Sequence, residues 1–232
     1  QPDLGTSILI ALSGIFVIYL AGISWKLILG GGFLAVLASP IVWYFMHEYQ
    51  KQRVLMFLNP EADPLNRGWN IIQSKIAIGS GGMSGKGWQQ GSQTQLDFLP
   101  EHSTDFILSV LSEEFGFIGV SLLFVLYTLI IMRCLFIASQ AKNTYNRLIC
   151  GALTLILFVY ITINAGMISG VFPVVGVPLP LISYGGSSMI IMTMAVVVLI
   201  RIDHEIRLQS IQATSRATGT HKSTKKKASK VK

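Results

Sequence analysis

The feature that most constrains this chain is a succession of long apolar stretches without charge. Residues 5–25 contain no Asp, Glu, Lys or Arg, and after Lys26 neither do residues 27–46. Residues 148–169 repeat the pattern, 189–200 continue a last span that starts within Ser187–Ser188, and 106–132 repeats it apart from Glu113 and Glu114. A helix needs about 20 apolar residues to cross a hydrocarbon core of ~30 Å, so each stretch reads as one span. Residues 69–84 are apolar in part, carry Lys75 and run into Gly79, Gly81, Gly82 and Gly85. They read as a sixth span in which protein or water shields Lys75, because a lone Lys in lipid costs about 2.5–3.5 kcal/mol. Only 12% of the residues are charged, about half the share of a soluble domain. That excludes a disordered chain and argues against a water-soluble enzyme. The fold class is therefore all-α: a polytopic membrane helix bundle with six transmembrane helices.

The location of charge sets the orientation. From Arg201 onward there are nine Lys or Arg and two acids, so the tail alone carries the net charge of +7. Residues 1–201 read as the membrane bundle, and 202–232 as a basic cytoplasmic tail, expected to be disordered. The loops at 47–68 and 133–147 hold three basic residues each. With six spans, both loops and the tail fall on one side, which the positive-inside tendency makes cytoplasmic. The loop 85–104 and the Pro- and Gly-rich segment 170–186 then face outward. Beside a membrane exit the Lys-rich run 225–227 suits anionic lipid better than nucleic acid.

The outer loop and the start of the next helix concentrate titratable groups: Asp97, Glu101, His102, Asp105, Glu113 and Glu114. Acids near a span are costly and point to function. At 100° per residue, Asp105, Ser109, Ser112, Gly116 and Gly119 would share one small, polar helix face. Two readings of Asp105 stand side by side. It caps the helix, or Ser103 or Thr104 caps it and leaves Asp105 in the first turn as an anion able to accept a proton. Other motifs fail. The segment around Gly81–Gly87 lacks the first Gly of a phosphate loop, and His47-Glu48 lacks the second His of a zinc protease. Cys134 and Cys150 read as two free thiols in membrane helices.

Six separated motifs occur in order: Gln1-Pro2-Asp3-Leu4-Gly5-Thr6; Gln73-Ser74-Lys75-Ile76-Ala77-Ile78-Gly79-Ser80-Gly81-Gly82; Gly85-Lys86-Gly87-Trp88; Phe98-Leu99-Pro100-Glu101 with Thr104-Asp105-Phe106; Glu113-Glu114-Phe115-Gly116; and Pro178-Leu179-Pro180 with Ser183-Tyr184-Gly185-Gly186-Ser187-Ser188. Together they resemble the SEDS family, the shape, elongation and division proteins of bacteria, and its RodA branch more than FtsW. The resemblance runs from residue 1 to about 201. It implies a ten-helix fold of which this chain matches the last six. One departure is that Ser103 stands where the family often has His, with His102 one place earlier.

The resemblance implies a peptidoglycan glycosyltransferase of the bacterial inner membrane that polymerises lipid II during elongation and shape maintenance, beside a class B penicillin-binding transpeptidase. It matches Asp105 to the family's essential outer-loop Asp, expected here as general base. Lys75 and Lys86 are the expected pyrophosphate contacts. A divalent cation, Mg or Mn, is the alternative source of positive charge, with its ligands unassigned. Glu101 and Glu113 are secondary candidates, and Ser183 and Tyr184 are expected to line the cavity floor. A lipid II transporter and a scaffold for the transpeptidase are the alternative functions for this topology.

Overall fold

The computed structural model describes residues 4–48, 50–51, 55, 69–92, 103–172 and 174–228. Six helices are present among them: α1 (Leu4–Leu20), α2 (Trp25–Phe45), α3 (Trp69–Gly81), α4 (Ile107–Gln140), α5 (Thr144–Ser169) and α6 (Gly186–Ala228). No strand occurs among the described residues. α2, α4, α5 and α6 each contain a stretch long and apolar enough to cross a membrane, and α1 contributes a shorter apolar helix. Their outer faces expose Leu29, Phe33, Phe117, Leu122, Ile190 and Met194 among many others. An apolar surface this extensive belongs in lipid. This is the all-helical, multi-pass architecture that the apolar runs predict.

α4 and α5 form the central pair, with α3 against α4 and α1 against α5. The core splits into two clusters. One gathers Phe106, Leu108, Tyr127, Leu157, Ile161, Met167 and Leu179 at the end where α4 begins and α5 stops. The other joins Cys134, Ile137, Cys150, Leu199 and Ile202 at the opposite end. Cys134 and Cys150 are buried there as free thiols, as expected. Arg133 of α4 pairs with Asp203 of α6 at 3.2 Å beside that second cluster.

Backbone groups freed inside the helices find substitutes, as lipid requires. Pro40 lies within α2 and has no N–H for the carbonyl of Val36. Ser39 Oγ donates to that carbonyl instead, at 2.8 Å. The larger interruption is in α4 at Gly116, where φ 64° and ψ −163° are not helical. Four backbone hydrogen bonds replace the lost helical ones. Lys86 N–H and Gly87 N–H donate to the carbonyls of Glu113 and Glu114, both at 3.0 Å. Phe117 N–H and Ile118 N–H donate to Gly82 and Met83 at 2.9 and 3.1 Å. The segment after α3 is thus laced to the kink backbone to backbone. Glycine is needed on both sides: a Cβ on Gly85 would strike the Glu114 carbonyl, and one on Gly116 would strike Gly85 N.

Several expectations are corrected here. α3 has 13 residues, about 20 Å at 1.5 Å per residue, which is two-thirds of a hydrocarbon core. It does not run the length of the bundle. Ser74 Oγ donates to Ile168 O at 2.9 Å near the end of α5, while residues 82–87 lie on the N-terminal part of α4. The polar stripe from Asp105 to Gly119 does not exist as one face. Asp105 precedes the helix, and the reversal at Gly116 breaks the 100° periodicity. α4 continues past Arg133 to Gln140, so the connection to α5 shrinks to a few residues. α6 continues as helix to Ala228 through most of the tail expected to be disordered. Once the apolar part of α6 is fixed, each further residue adds a hydrogen bond without a new nucleation cost.

Candidate active site

Asp105 sits in a short turn, residues 103–106, ahead of α4. The turn is seated by Phe106, buried in the first core cluster. Phe106 is also the N-cap residue and makes no side-chain cap hydrogen bond. Neither Ser103 nor Thr104 caps α4, and Asp105 lies before its first turn, so both cap readings are replaced. What holds the turn comes from elsewhere in the chain. Three consecutive carbonyls each accept from a different donor. Tyr184 N–H donates to Ser103 O at 2.9 Å, Ser183 Oγ to Thr104 O at 2.6 Å, and Asn164 Nδ2 to Asp105 O at 2.8 Å.

The segment that supplies these donors is itself braced. Leu179 N–H donates to Ser183 Oγ at 2.7 Å, and Tyr127 Oη of α4 donates to Pro180 O at 2.6 Å. Asn164 Nδ2 makes a second bond, to Val177 O at 2.7 Å. The Asp105 carboxylate lies over Gly176, where a methyl group would stand 3.3 Å from Oδ2. Asp105 itself is half-buried. The result is a carboxylate at the edge of the bundle on a backbone pinned at three points, a fit mount for a proton acceptor.

Ser183 and Tyr184, expected to line a cavity floor, both reach the Asp105 turn through hydrogen bonds. Ser183 is buried and spends its hydroxyl on the backbone. Tyr184 contributes its N–H to the turn, while its ring is 78% exposed. Lys75 is exposed on α3, and its side chain runs along Gly170. Gly170 is the left-handed C-cap of α5, at the start of the segment that carries Gly176. A helix C-terminus favours a cation, which accounts for a Lys at this depth.

Lys86 is not a free cation. Its Nζ is 2.6 Å from Glu113 Oε1, with the Glu113 side chain 0% and the Lys86 side chain 30% exposed. Ser92 Oγ also donates to Oε1 at 3.1 Å, and Lys86 Nζ donates to Ser92 Oγ at 2.9 Å. A buried carboxylate is tolerated only with such partners. Glu113 therefore anchors the start of the loop after α3 to α4. Glu101 and His102 lie outside the described residues. Among the described residues no three His, Cys, Asp or Glu side chains come together as a metal set.

Asn164 was missed from the sequence. A signal was present, since an Asn in the apolar run 148–169 is costly in lipid and asks for partners. Nothing local says that those partners are residues 105 and 177.

A multi-pass helix bundle with a braced carboxylate at one end defines the class. The family described as "Cell cycle protein", FtsW/RodA/SpoVE, matches residues 1–208, and the chain belongs to this family. The peptidoglycan glycosyltransferase MrdB of Escherichia coli (strain K12) is 60% identical over 193 residues, covering 83% of this chain and 52% of that protein. The peptidoglycan glycosyltransferase RodA of Treponema pallidum is 51% identical over 142 residues, covering 61% of this chain and 33% of that protein. A solved chain from a peptidoglycan synthase complex that coordinates polymerization and crosslinking superposes with a TM-score of 0.75 at 32% identity. That match covers 89% of this chain and 57% of the other. The chain thus spans about half the length of the curated relatives it matches.

Proposed function

We propose that the protein of which these helices form part is a peptidoglycan glycosyltransferase that polymerises lipid II for cell elongation, with Asp105 as general base. The observation that carries this is the mount of Asp105: three successive backbone carbonyls held by donors from α5 and the segment after it. A general base must stay within hydrogen-bond reach of the proton it takes, and a pinned backbone secures that. The Asp105 carboxylate accepts the proton of the acceptor GlcNAc 4-hydroxyl as that oxygen attacks the anomeric carbon of the donor MurNAc. The new C–O bond forms as the bond to the lipid pyrophosphate breaks, and the pyrophosphate leaves with the electron pair. One displacement inverts the anomeric centre. The leaving group is already anionic, so it needs positive charge rather than an acid. Lys75, exposed on α3 with its side chain along Gly170, supplies that charge. Lys86 serves as the anchor of the outer loop.

In this reading the Asp105 end of the bundle faces the outer side of the bacterial inner membrane, where lipid-linked sugars are used. The C-terminus is cytoplasmic and its Lys-rich end lies on anionic lipid. The partner is a class B penicillin-binding transpeptidase, in keeping with the crosslinking complex from which the structural neighbour comes. The test is glycan polymerisation from lipid II by the purified full-length protein with that partner. Asp105→Asn should lower the rate by about 10²-fold or more while lipid II still binds. A normal rate removes the general base. Counting glycan products on gels in detergent separates a polymerase from a transporter, which would move lipid II and make no polymer.

A further inference from the structure

Asn164 is fully buried near the C-terminal end of the membrane helix α5. Its amide faces two backbone carbonyls at once, Asp105 O at 2.8 Å and Val177 O at 2.7 Å. That pairing fixes the orientation of the side chain. Two acceptors require the NH2 group, because a flipped amide would set Oδ1 against two carbonyl oxygens. The other end of the amide, Oδ1, is buried and has no partner among the described residues. A buried acceptor left unpaired is a standing cost, and it is borne here to present both N–H groups to those two carbonyls. Of the three donors that hold the turn, Tyr184 N–H and Ser183 Oγ belong to the irregular segment after α5. Asn164 alone belongs to a transmembrane helix, and it addresses the residue that bears the carboxylate.

We propose that Asn164 is the positioning residue for Asp105: it ties the backbone of the base, and the Val177 strap beside it, to the rigid frame of α5. Asn164 touches no substrate in this account, and the inference rests on the reading of Asp105 as general base. The hydrogen bond at Asp105 O sets where the Asp105 Cα stands. The bond at Val177 O sets the strap whose neighbour, Gly176, lies under the carboxylate. Loss of both lets base and strap move independently. A misplacement of about 1 Å at a reacting group costs about 10²-fold in rate.

The experiment uses the full-length protein with its transpeptidase partner, lipid II as substrate, and two variants. Asn164→Leu keeps the volume and removes both donors. Asn164→Asp keeps the shape, and as a neutral buried acid it offers one O–H, so it can serve only one carbonyl. The expected result is a fall in kcat of about 10- to 100-fold for Asn164→Leu and less for Asn164→Asp, with KM for lipid II changed by less than about twofold. Combined with Asp105→Asn, either substitution should add nothing further, because a mount without its base has nothing to position. Normal kcat in either folded variant overturns the proposal, as does a loss that multiplies with that of Asp105→Asn. If Asn164→Leu does not fold, Asn164→Asp decides by the same two readouts. Asp105→Asn alone is measured first. If it polymerises normally, the general-base reading fails, a result distinct from failure of Asn164 as its mount.

Discussion

The ion pair between Lys86 and Glu113 makes an asymmetric prediction. Glu113 is fully buried on α4, and Lys86 reaches it from the loop after α3 with 30% of its side chain exposed. Lys86→Met removes the cation and leaves the carboxylate in the interior with hydroxyl donors, Ser92 and Ser80 among them, in place of an ammonium. Breaking a buried pair this way costs about 3–5 kcal/mol. The partial exposure of Lys86 places the value toward the lower end, at about 3 kcal/mol. Glu113→Gln is the milder change. The amide oxygen still accepts from Ser92, and the released ammonium can turn to solvent. Its cost is the loss of one charge-assisted hydrogen bond, about 1.5–2 kcal/mol. Lys86→Met should therefore be the more destabilising by about 1 kcal/mol or more, although it removes the more exposed partner. Thermal unfolding in detergent at fixed ionic strength gives the ordering. Added salt should not close the gap, because screening acts weakly on a buried pair. Equal midpoints, or Glu113→Gln as the worse variant, would refute Lys86 as the main counter-charge of Glu113.

The kink and the brace make two further predictions. Gly116→Ala should destabilise by about 2–3 kcal/mol, since φ 64° with ψ −163° is a region open almost solely to glycine. Its methyl group would also strike Gly85 N, so the same melting assay should show a lower midpoint, with the outer loop more open to protease. Tyr127→Phe removes the 2.6 Å bond to Pro180 O and should cost about 1 kcal/mol. Because Pro180 belongs to the segment that holds the turn at Asp105, polymerisation should fall several-fold, and an unchanged rate would show that this brace is not felt at the site.

Local pattern carried much of the fold. Long apolar runs, free or nearly free of charge, mark α1, α2, α4, α5 and the first part of α6, because a membrane demands internal backbone bonding and an apolar surface from each helix separately. α3 was legible as an element, although its apolar character alone does not report how far it reaches. Asp105 was found through motifs that resemble a family, and its cap was assigned wrongly. Ser103 and Thr104 are good cap types in isolation, but bonds to their carbonyls from Ser183 and Tyr184, about 80 residues away along the chain, set a turn after which Phe106 takes the N-cap position.

What the sequence determined by itself is the class of molecule and the neighbourhood of its chemistry. A chain with these runs has to be a membrane helix bundle, and its acids gather where one helix pair begins. The tertiary structure alone decided what each polar side chain is for. It paired Lys86 with Glu113, made the glycines at 85 and 116 a backbone crossing, and brought Asn164 under Asp105. The physical reason is range. Helix formation and lipid exposure act over a few neighbouring residues and leave a periodic trace. A buried hydrogen bond joins residues that are 27 or 59 positions apart, and its two ends carry no mark of each other until the helices pack.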